Sequence, residues 1–149
     1  MAMTKRSVKN STAKPLGKSA SNKPPKHVPT PGLYGWITHT EFASSNPAAT
    51  KAWCAKVLDW KFQPEFPMAG GEYHLFAYSN TGGGGIRSLN PSEVPGSVAF
   101  VHVADAKASF KKAIRAGAEE LMKPTRVMEG VTIAMVRAPG GVSIGFSGP

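Results

Sequence analysis

The chain has 149 residues, of which 41% are hydrophobic, and this is enough for a single domain with a hydrophobic core. Its formal net charge of +9 comes mostly from residues 1–31, which hold six lysines and Arg6 but no acidic residue, whereas residues 32–149 hold 11 basic and 9 acidic side chains. The nearly neutral body excludes a basic domain surface as the main signal for nucleic-acid binding. No apolar run has the length of a secretory signal or a membrane span, so we expect no membrane association.

The N-terminal segment, residues 1–31, is rich in Lys, Ser, Asn and Pro and poor in aliphatic residues. Such a segment buries too little apolar surface to offset the entropy lost on ordering, so we predict a disordered basic tail. Three roles stay open for it: a solubilising extension, a transit peptide, or an arm that contacts nucleic acid or another anionic surface. The single cysteine, Cys54, excludes an intramolecular disulfide and fits a reducing compartment, so we expect a cytoplasmic protein.

The first half of the body is predicted to form a strand, a helix and three further strands. Residues 35–43 alternate and are rich in aromatic and β-branched side chains, which is typical of a strand. Asn46 followed by Pro47 is a common helix start, and apolar residues continue at helical spacing to Trp60. The glycine run Gly82–Gly85 is interpreted as a flexible hairpin. The strands predicted after the helix are 61–66, 72–79 and 86–89.

The second half repeats this order. Alternation predicts a strand over residues 97–103, and a helix is predicted from Asp105 to Leu121 with Phe110 on its apolar stripe. Turn residues then separate three short alternating runs. The strands predicted after this helix are 122–128, 131–137 and 142–146.

The repeated pattern predicts an α+β fold in a single domain, residues 32–149. In this fold, two βαβββ modules, about residues 33–91 and 96–147, form a curved mixed sheet around a cup with the helices outside. Each module is small for an independent core, so we expect the modules to pack together, either within one chain or across a homodimer.

Several short motifs occur in the same order as in a known superfamily. They are Ile37–Phe42, Asn46–Pro47, Val57–Trp60, Gly83–Ile86 and Ala138–Phe146. With these motifs, the sequence between about residues 33 and 147 resembles the vicinal oxygen chelate superfamily, which contains glyoxalase I, bleomycin-resistance proteins and extradiol dioxygenases. The resemblance implies a cup-shaped site and, in the metal-using members, a divalent ion held by one His or Glu from each of four strands.

Matching these ligand positions to the present sequence gives one candidate ligand. His39 matches the first position, its counterpart in the second module falls near Ala99, and the other two positions fall near Gly85 and on Gly145. Because zinc, nickel or iron needs at least three suitable protein ligands, we expect no metal cofactor. A divalent metal stays an alternative in which other side chains complete the site. The candidates for such substitute ligands are Glu41, Glu72, His74 and His102.

Four residues are predicted to bind a ligand in the cup: His39, Glu41, His74 and Arg87. His39 and Glu41 share one strand face, where they suit hydrogen bonding or proton transfer, with a core histidine and a local charge pair as the structural alternatives. Arg87 suits a ligand carboxylate or phosphate, or else a solvated edge. His74 belongs to an aromatic strand that either lines the cup or packs in the core. Alternation predicts that His102 faces away from Ala99.

Three hypotheses of function follow, and they differ in kind. The leading hypothesis is a protein that binds a small organic molecule in the cup without the usual metal. The second is a lyase, isomerase or dioxygenase-type enzyme that uses His39 and Glu41 with substitute ligands. The third is a dimeric scaffold whose basic tail contacts an anionic partner such as nucleic acid. The fold alone does not choose among them.

Overall fold

The structure, a computed structural model, describes residues 30–64 and 71–149. Residues 1–29 of the predicted disordered tail lie outside the described residues, and so do residues 65–66 at the end of the second predicted strand. Within the described ranges, no helix is both long and apolar enough to cross a membrane. The elements in chain order are a 3-10 helix (Pro31–Leu33), β1 (Ile37–Ser44), α1 (Pro47–Leu58), β2 (Lys61–Phe62), β3 (Tyr73–Ala77), β4 (Gly83–Ser88), β5 (Gly96–His102), α2 (Ala106–Arg115), β6 (Glu119–Met128), β7 (Val131–Arg137) and β8 (Ser143–Gly148).

The strands form one sheet in the order β2-β3-β4-β1-β5-β8-β7-β6. The pairs β1–β4 and β5–β8 are parallel, and the other neighbours are antiparallel. Strands β1 to β4 with α1 form the first module, strands β5 to β8 with α2 form the second, and the two meet within the chain at the β1–β5 pair. This curved, unclosed mixed sheet confirms the predicted α+β fold of two βαβββ modules.

Each helix packs on the strands of its own module. Both helices begin at the predicted caps: the Asn46 side chain accepts a hydrogen bond from the Ala49 N–H at 3.0 Å, and the Asp105 side chain accepts one from the Ala108 N–H at 2.9 Å. Such a cap stabilises a helix by about 1 kcal/mol. The buried residues of the two helix-side cores are Cys54, Phe76 and Ile86 in the first module and Phe110, Ala134 and Val136 in the second.

The glycine run lies in a hairpin, as predicted, but most of it is strand. The Gly82 carbonyl oxygen accepts hydrogen bonds from the Tyr78 and Ser79 N–H groups at the β3–β4 turn, and the next three glycines form the first half of β4, which lies between β1 and β3. A side chain at Gly84 would overlap the carbonyl oxygen of Thr40 and the ring of Phe76. Glycine therefore allows β4 to approach both neighbouring elements closely, which the turn propensity of the sequence does not reveal.

The second helix is shorter than predicted. It ends at Arg115 rather than at Leu121, because Gly117 adopts a left-handed φ of +92° that stops the helix. The chain then enters β6 at Glu119, so this strand begins three residues before the predicted residue 122. The additional residues belong to the β6–β7 pair at one end of the sheet.

Candidate ligand-binding site

A cavity of about 330 Å³ lies between the two modules. This volume is in the range of about 300–1,000 Å³ that is typical of small-molecule sites. Its polar end is formed by Thr38, His39 and Glu41 from β1 and Tyr73 from β3. The second module contributes a mostly apolar wall, formed by Phe100, Val127, Met128, Val131 and Ile133. The cup predicted from the sequence is therefore present as an open space in the fold.

A chain of hydrogen bonds runs from this cavity into the protein. His39 Nε2 lies 2.9 Å from the Tyr73 hydroxyl, which donates to Glu41 Oε2 at 3.3 Å. Arg87 Nε donates to Glu41 Oε1 at 2.7 Å, and the two terminal nitrogens of Arg87 donate to the Glu93 carboxylate at 2.6 and 2.8 Å. Two carboxylates thus share one guanidinium, and a tyrosine connects this ion cluster to a histidine.

The surroundings shift the protonation equilibria of this chain. Burial lowers the pKa of His39 below its ordinary value of 6.5, although the negative charge of Glu41 opposes the shift. Burial raises the pKa of the Tyr73 hydroxyl, and the charge and hydrogen bond of Glu41 raise it further. The hydrogen bonds from Arg87 hold the pKa of Glu93 below its ordinary value. At neutral pH, the site therefore presents a neutral imidazole and a protonated phenol.

Strand register explains why these side chains meet. Alternation on β1 brings His39 and Glu41 to one sheet face, and Glu41 lies opposite Gly85 of β4. On the other side of β4, Tyr73 lies opposite Arg87. A side chain at Gly85 would overlap the Tyr73 ring. The glycine therefore leaves the space in which Tyr73 reaches across β4 to His39 and Glu41.

The second module places an aromatic ring beside His39. The register pairs His39 with Phe100, and the two rings meet edge to face with centroids 5.8 Å apart. The side chain beside His39 is that of Phe100 rather than Ala99, because Ala99 pairs with Thr40 and the cavity is lined by Phe100 and His102. A β-bulge between Ile37 and His39 shifts the pairing only at the start of β1.

Three of the four predicted ligand-binding residues belong to the hydrogen-bonded chain. His39 and Glu41 line the cavity, whereas Arg87 is bonded to both glutamates and to the Ser88 carbonyl oxygen at 2.9 Å. The structure does not bring His74 to this group. Its side chain is 2% exposed, with Nε2 3.4 Å from Glu72 Oε2, and it does not line the cavity. A ligand-binding role for the four residues stays a prediction.

Three residues of the site, namely Tyr73, Phe100 and Glu93, were not among the four predicted ligand-binding residues. Alternation on β3 already separates Tyr73 from His74 and Phe76, so this pattern was a signal that Tyr73 lies on the cavity side. Phe100 alternates in the same way with Ala99. Glu93 carries no such signal, because it lies in the connection between β4 and β5 and reaches Arg87 only through the fold.

The donor set does not fit the metal site that the superfamily resemblance implies. In residues 30–64 and 71–149, no three His, Cys, Asp or Glu side chains lie together in a way that holds a metal ion. Of the predicted ligand positions, Gly85 is covered by the Tyr73 ring, and a side chain at Gly145 would overlap the Phe100 ring. Aromatic rings therefore occupy the space next to two positions where the superfamily resemblance places metal ligands.

The sequence matches the profile of the Glyoxalase/Bleomycin resistance protein/Dioxygenase superfamily over residues 36–146. The match spans most of the chain, from the start of β1 into β8. This protein therefore belongs to that superfamily, as the motifs of the sequence predicted. No curated protein matches the sequence.

Solved structures show the same fold. Methylmalonyl-CoA epimerase from Mycobacterium tuberculosis superposes with a TM-score of 0.61 at 18% identity, covering 83% of this chain and 93% of its own. A hypothetical protein from Bacillus halodurans C-125 gives a TM-score of 0.60 at 12% identity, covering 74% of this chain and 91% of its own. A Streptomyces coelicolor methylmalonyl-CoA epimerase in complex with 2-nitronate-propionyl-CoA gives 0.58 at 16% identity, with coverages of 77% and 96%. At these identities the similarity establishes the fold but not the activity, which depends on the residues of the site.

Proposed function

We propose that this protein binds a small, largely apolar organic molecule in the cavity between its modules, without a metal ion. The observation that carries the proposal is the pairing of an apolar wall with one polar end. Phe100, Val131 and Ile133 supply surface that favours an apolar body, while His39 and Tyr73 supply oriented hydrogen-bonding groups. A few fixed polar groups in an apolar cavity are typical of sites that select a ligand by shape and orientation.

Charged side chains on the protein side of the cavity hold its polar end in place. Glu41 is 9% exposed, and its carboxylate is fixed by Arg87 and Tyr73. Arg87 is in turn held by Glu93, so its guanidinium is stabilised on two sides. A polar group of the ligand would therefore meet a preorganised site, which reduces the entropy lost on binding.

A second candidate, proton transfer, uses the same site. The pKa of His39, which lines the cavity, is lowered by burial, so its imidazole is neutral at physiological pH and retains a basic nitrogen. Tyr73 is the protonated partner beside it. This arrangement suits removal of a proton from a carbon next to a carbonyl group, with return of a proton to the same carbon.

Binding is tested with 2-naphthylmethanol, an uncharged aromatic probe, by isothermal titration calorimetry on the full chain. We expect saturable binding, and we expect Ile133→Trp, which fills the cavity, to weaken it by about tenfold or more. Leu121→Trp is the matched control, because Leu121 is 38% exposed and lies outside the cavity lining. Equal affinity in both variants would contradict the proposal, and so would failure of this alcohol and of the amine and carboxylate of the same shape to bind.

The metal-free part is tested separately by thermal unfolding with Zn²⁺, Ni²⁺, Mn²⁺ or Fe²⁺. We expect no specific rise in the unfolding temperature, whereas a saturable rise that is lost in His39→Gln would favour a metal-dependent enzyme instead. For proton transfer, 2-acetonaphthone in deuterated buffer should exchange its methyl protons faster with the protein than without it. His39→Gln should abolish the increase, and exchange at the buffer rate would rule out this candidate.

The predicted homodimer, the cytoplasmic location and a contact between the basic tail and nucleic acid stay predictions. The tail lies outside the described residues up to residue 29. Deletion of residues 1–31 should weaken binding to a nucleic acid and reduce its salt dependence, because seven basic residues are removed. Unchanged binding would exclude the tail as the contact.

A further inference from the structure

The charge around the cavity is negative among the described residues. Among the described residues that line it, Glu41 is the charged side chain, and no lysine or arginine is present. Behind the lining, Glu41 and Glu93 share the single guanidinium of Arg87, which leaves the cluster with one excess negative charge. The side chains of Arg87 and Glu41 are only 15% and 11% exposed, so solvent screens this charge incompletely.

The hydrogen bonds leave acceptors at the polar end. The Tyr73 hydroxyl donates its single proton to Glu41, so His39 Nε2 must carry the proton that is shared with the Tyr73 oxygen. Because a neutral imidazole has one N–H, His39 Nδ1 is then an acceptor. The Glu41 carboxylate also retains lone pairs beyond those used by Tyr73 and Arg87. A ligand group that donates several hydrogen bonds fits this end better than one that accepts them.

Aromatic rings complete the surroundings. The rings of Tyr73 and Phe100 both line the cavity, and each lies close to His39, with ring centroids 6.5 and 5.8 Å away. The negative face of an aromatic ring attracts a cation, and the attraction is larger where water is excluded. The negative charge, the hydrogen-bond acceptors and the aromatic rings thus all favour a ligand that carries a positive charge.

We propose that the cavity selects an organic cation, namely a protonated amine or amidine attached to an apolar body. The cationic group lies against Glu41 and the rings of Tyr73 and Phe100, and the apolar body packs on Val131 and Ile133. This inference rests on the proposed function and adds the ligand class to it. It also distinguishes this cavity from one for an acyl-CoA such as methylmalonyl-CoA, whose carboxylate and phosphates would meet no cation among the described lining residues.

Three probes of nearly equal shape test the preference at neutral pH and low ionic strength. They are 2-naphthylmethylamine, which is cationic, 2-naphthylmethanol, which is neutral, and 2-naphthoate, which is anionic. We expect the amine to bind about tenfold or more tightly than the alcohol, and the carboxylate to bind most weakly. Added salt should weaken the amine more than the alcohol, because screening acts on the charge alone.

Glu41→Gln isolates the cause of the preference, since glutamine keeps the size of the side chain and removes its charge. We expect the ratio of amine affinity to alcohol affinity to fall by about tenfold or more in this variant, and a circular dichroism spectrum like that of the unaltered protein reports that it is folded. Glu120→Gln, at a 47% exposed side chain of β6, is the matched control and should retain the full preference. If Glu41→Gln does not fold, the three probes on the unaltered protein still test the inference.

The outcomes separate the two proposals. Binding of all three probes with equal affinity, or tightest binding of the carboxylate, overturns the cation preference and leaves the small-molecule site in place. Failure of all three to bind overturns both. A Glu41→Gln variant that keeps the amine preference overturns the assignment of the preference to Glu41.

Discussion

The two modules share one topology but present opposite chemistry to the cavity. The first module contributes His39, Tyr73, Glu41 and Arg87 of the hydrogen-bonded chain, and the segment that connects the modules adds Glu93. The second module contributes mainly apolar side chains. The repeated backbone therefore does not impose a repeated site. One half fixes the polar group of a ligand, and the other half determines the space available for the rest of it.

Ion pairs show the same contrast. The Arg87–Glu41 pair of the first module has side chains that are 15% and 11% exposed, at a distance of 2.7 Å. The Arg137–Glu119 pair of the second module is 48% and 71% exposed, at 3.5 Å. A pair that is mostly buried carries a large penalty when one partner is lost, whereas an exposed pair contributes little. The comparison predicts that stability depends on charge in the first module and on packing in the second.

The largest effect is expected for Arg87→Met. This change leaves Glu41 and Glu93 near each other without their shared cation, and we expect the free energy of unfolding to fall by about 3–5 kcal/mol. Urea unfolding followed by circular dichroism measures the change. Arg137→Met removes the exposed counterpart and should cost about 0–1 kcal/mol.

A double variant shows whether the lost stability comes from the uncompensated charge. Adding Glu41→Gln to Arg87→Met should recover part of the loss, because one of the two unpaired carboxylates is removed. Equal losses for Arg87→Met and Arg137→Met would mean that the modules do not differ in their dependence on charge.

A smaller effect is expected in the second module for Gly145→Ala. A methyl group at this position would overlap the ring of Phe100, which is 2% exposed and has little room to move. Overpacking of this kind typically costs about 1–3 kcal/mol. Gly96→Ala is the control, since the added methyl group would meet only the Val94 carbonyl oxygen at 3.9 Å. If Gly145→Ala is as stable as Gly96→Ala, the Phe100 ring can move enough to accommodate the methyl group.

The smallest effect concerns the pH dependence of His39. Its pKa is lowered by burial from 6.5, so between 6.5 and the folded-state pKa the unfolded chain binds a proton that the folded chain does not. Stability should therefore decrease as the pH falls through this interval, and His39→Gln should make the decrease shallower. NMR titration of the His39 ring protons checks the premise directly. A midpoint at or above 6.5 would be inconsistent with an imidazole enclosed next to Tyr73 and Phe100.

Much of the fold was accessible from the sequence because its signals are local. The caps at Asn46 and Asp105 and the alternation of residues 131–137 correspond to observed elements. The strand formed by Gly83 to Gly85 was not predicted, because the need for glycine there depends on Thr40 of a neighbouring strand, which is distant in sequence. Turn propensity describes a glycine by itself and contains no information on the strands that pack against it.

The site was predictable only in part, for the same reason. Alternation alone brings His39 and Glu41 together, and both line the cavity. The bond between Arg87 and Glu41 needs the parallel register of β1 and β4, and the contact of Arg87 with Glu93 needs the path of a connecting segment. The antiparallel register of β1 and β5 places Phe100, rather than Ala99, beside His39. Register and bulges come from tertiary packing, which a residue pattern does not specify.

The ring of Phe100 over Gly145 also limits the substitutions that this site can accept. A carboxylate introduced at position 145 has no room until the side chain at position 100 becomes smaller. Reducing Phe100 first would leave a void in the wall and cost about 3–5 kcal/mol. Changes at these two positions are therefore open in one order only and pass through a less stable intermediate. The Phe100 ring therefore opposes any single substitution that would place a carboxylate at position 145.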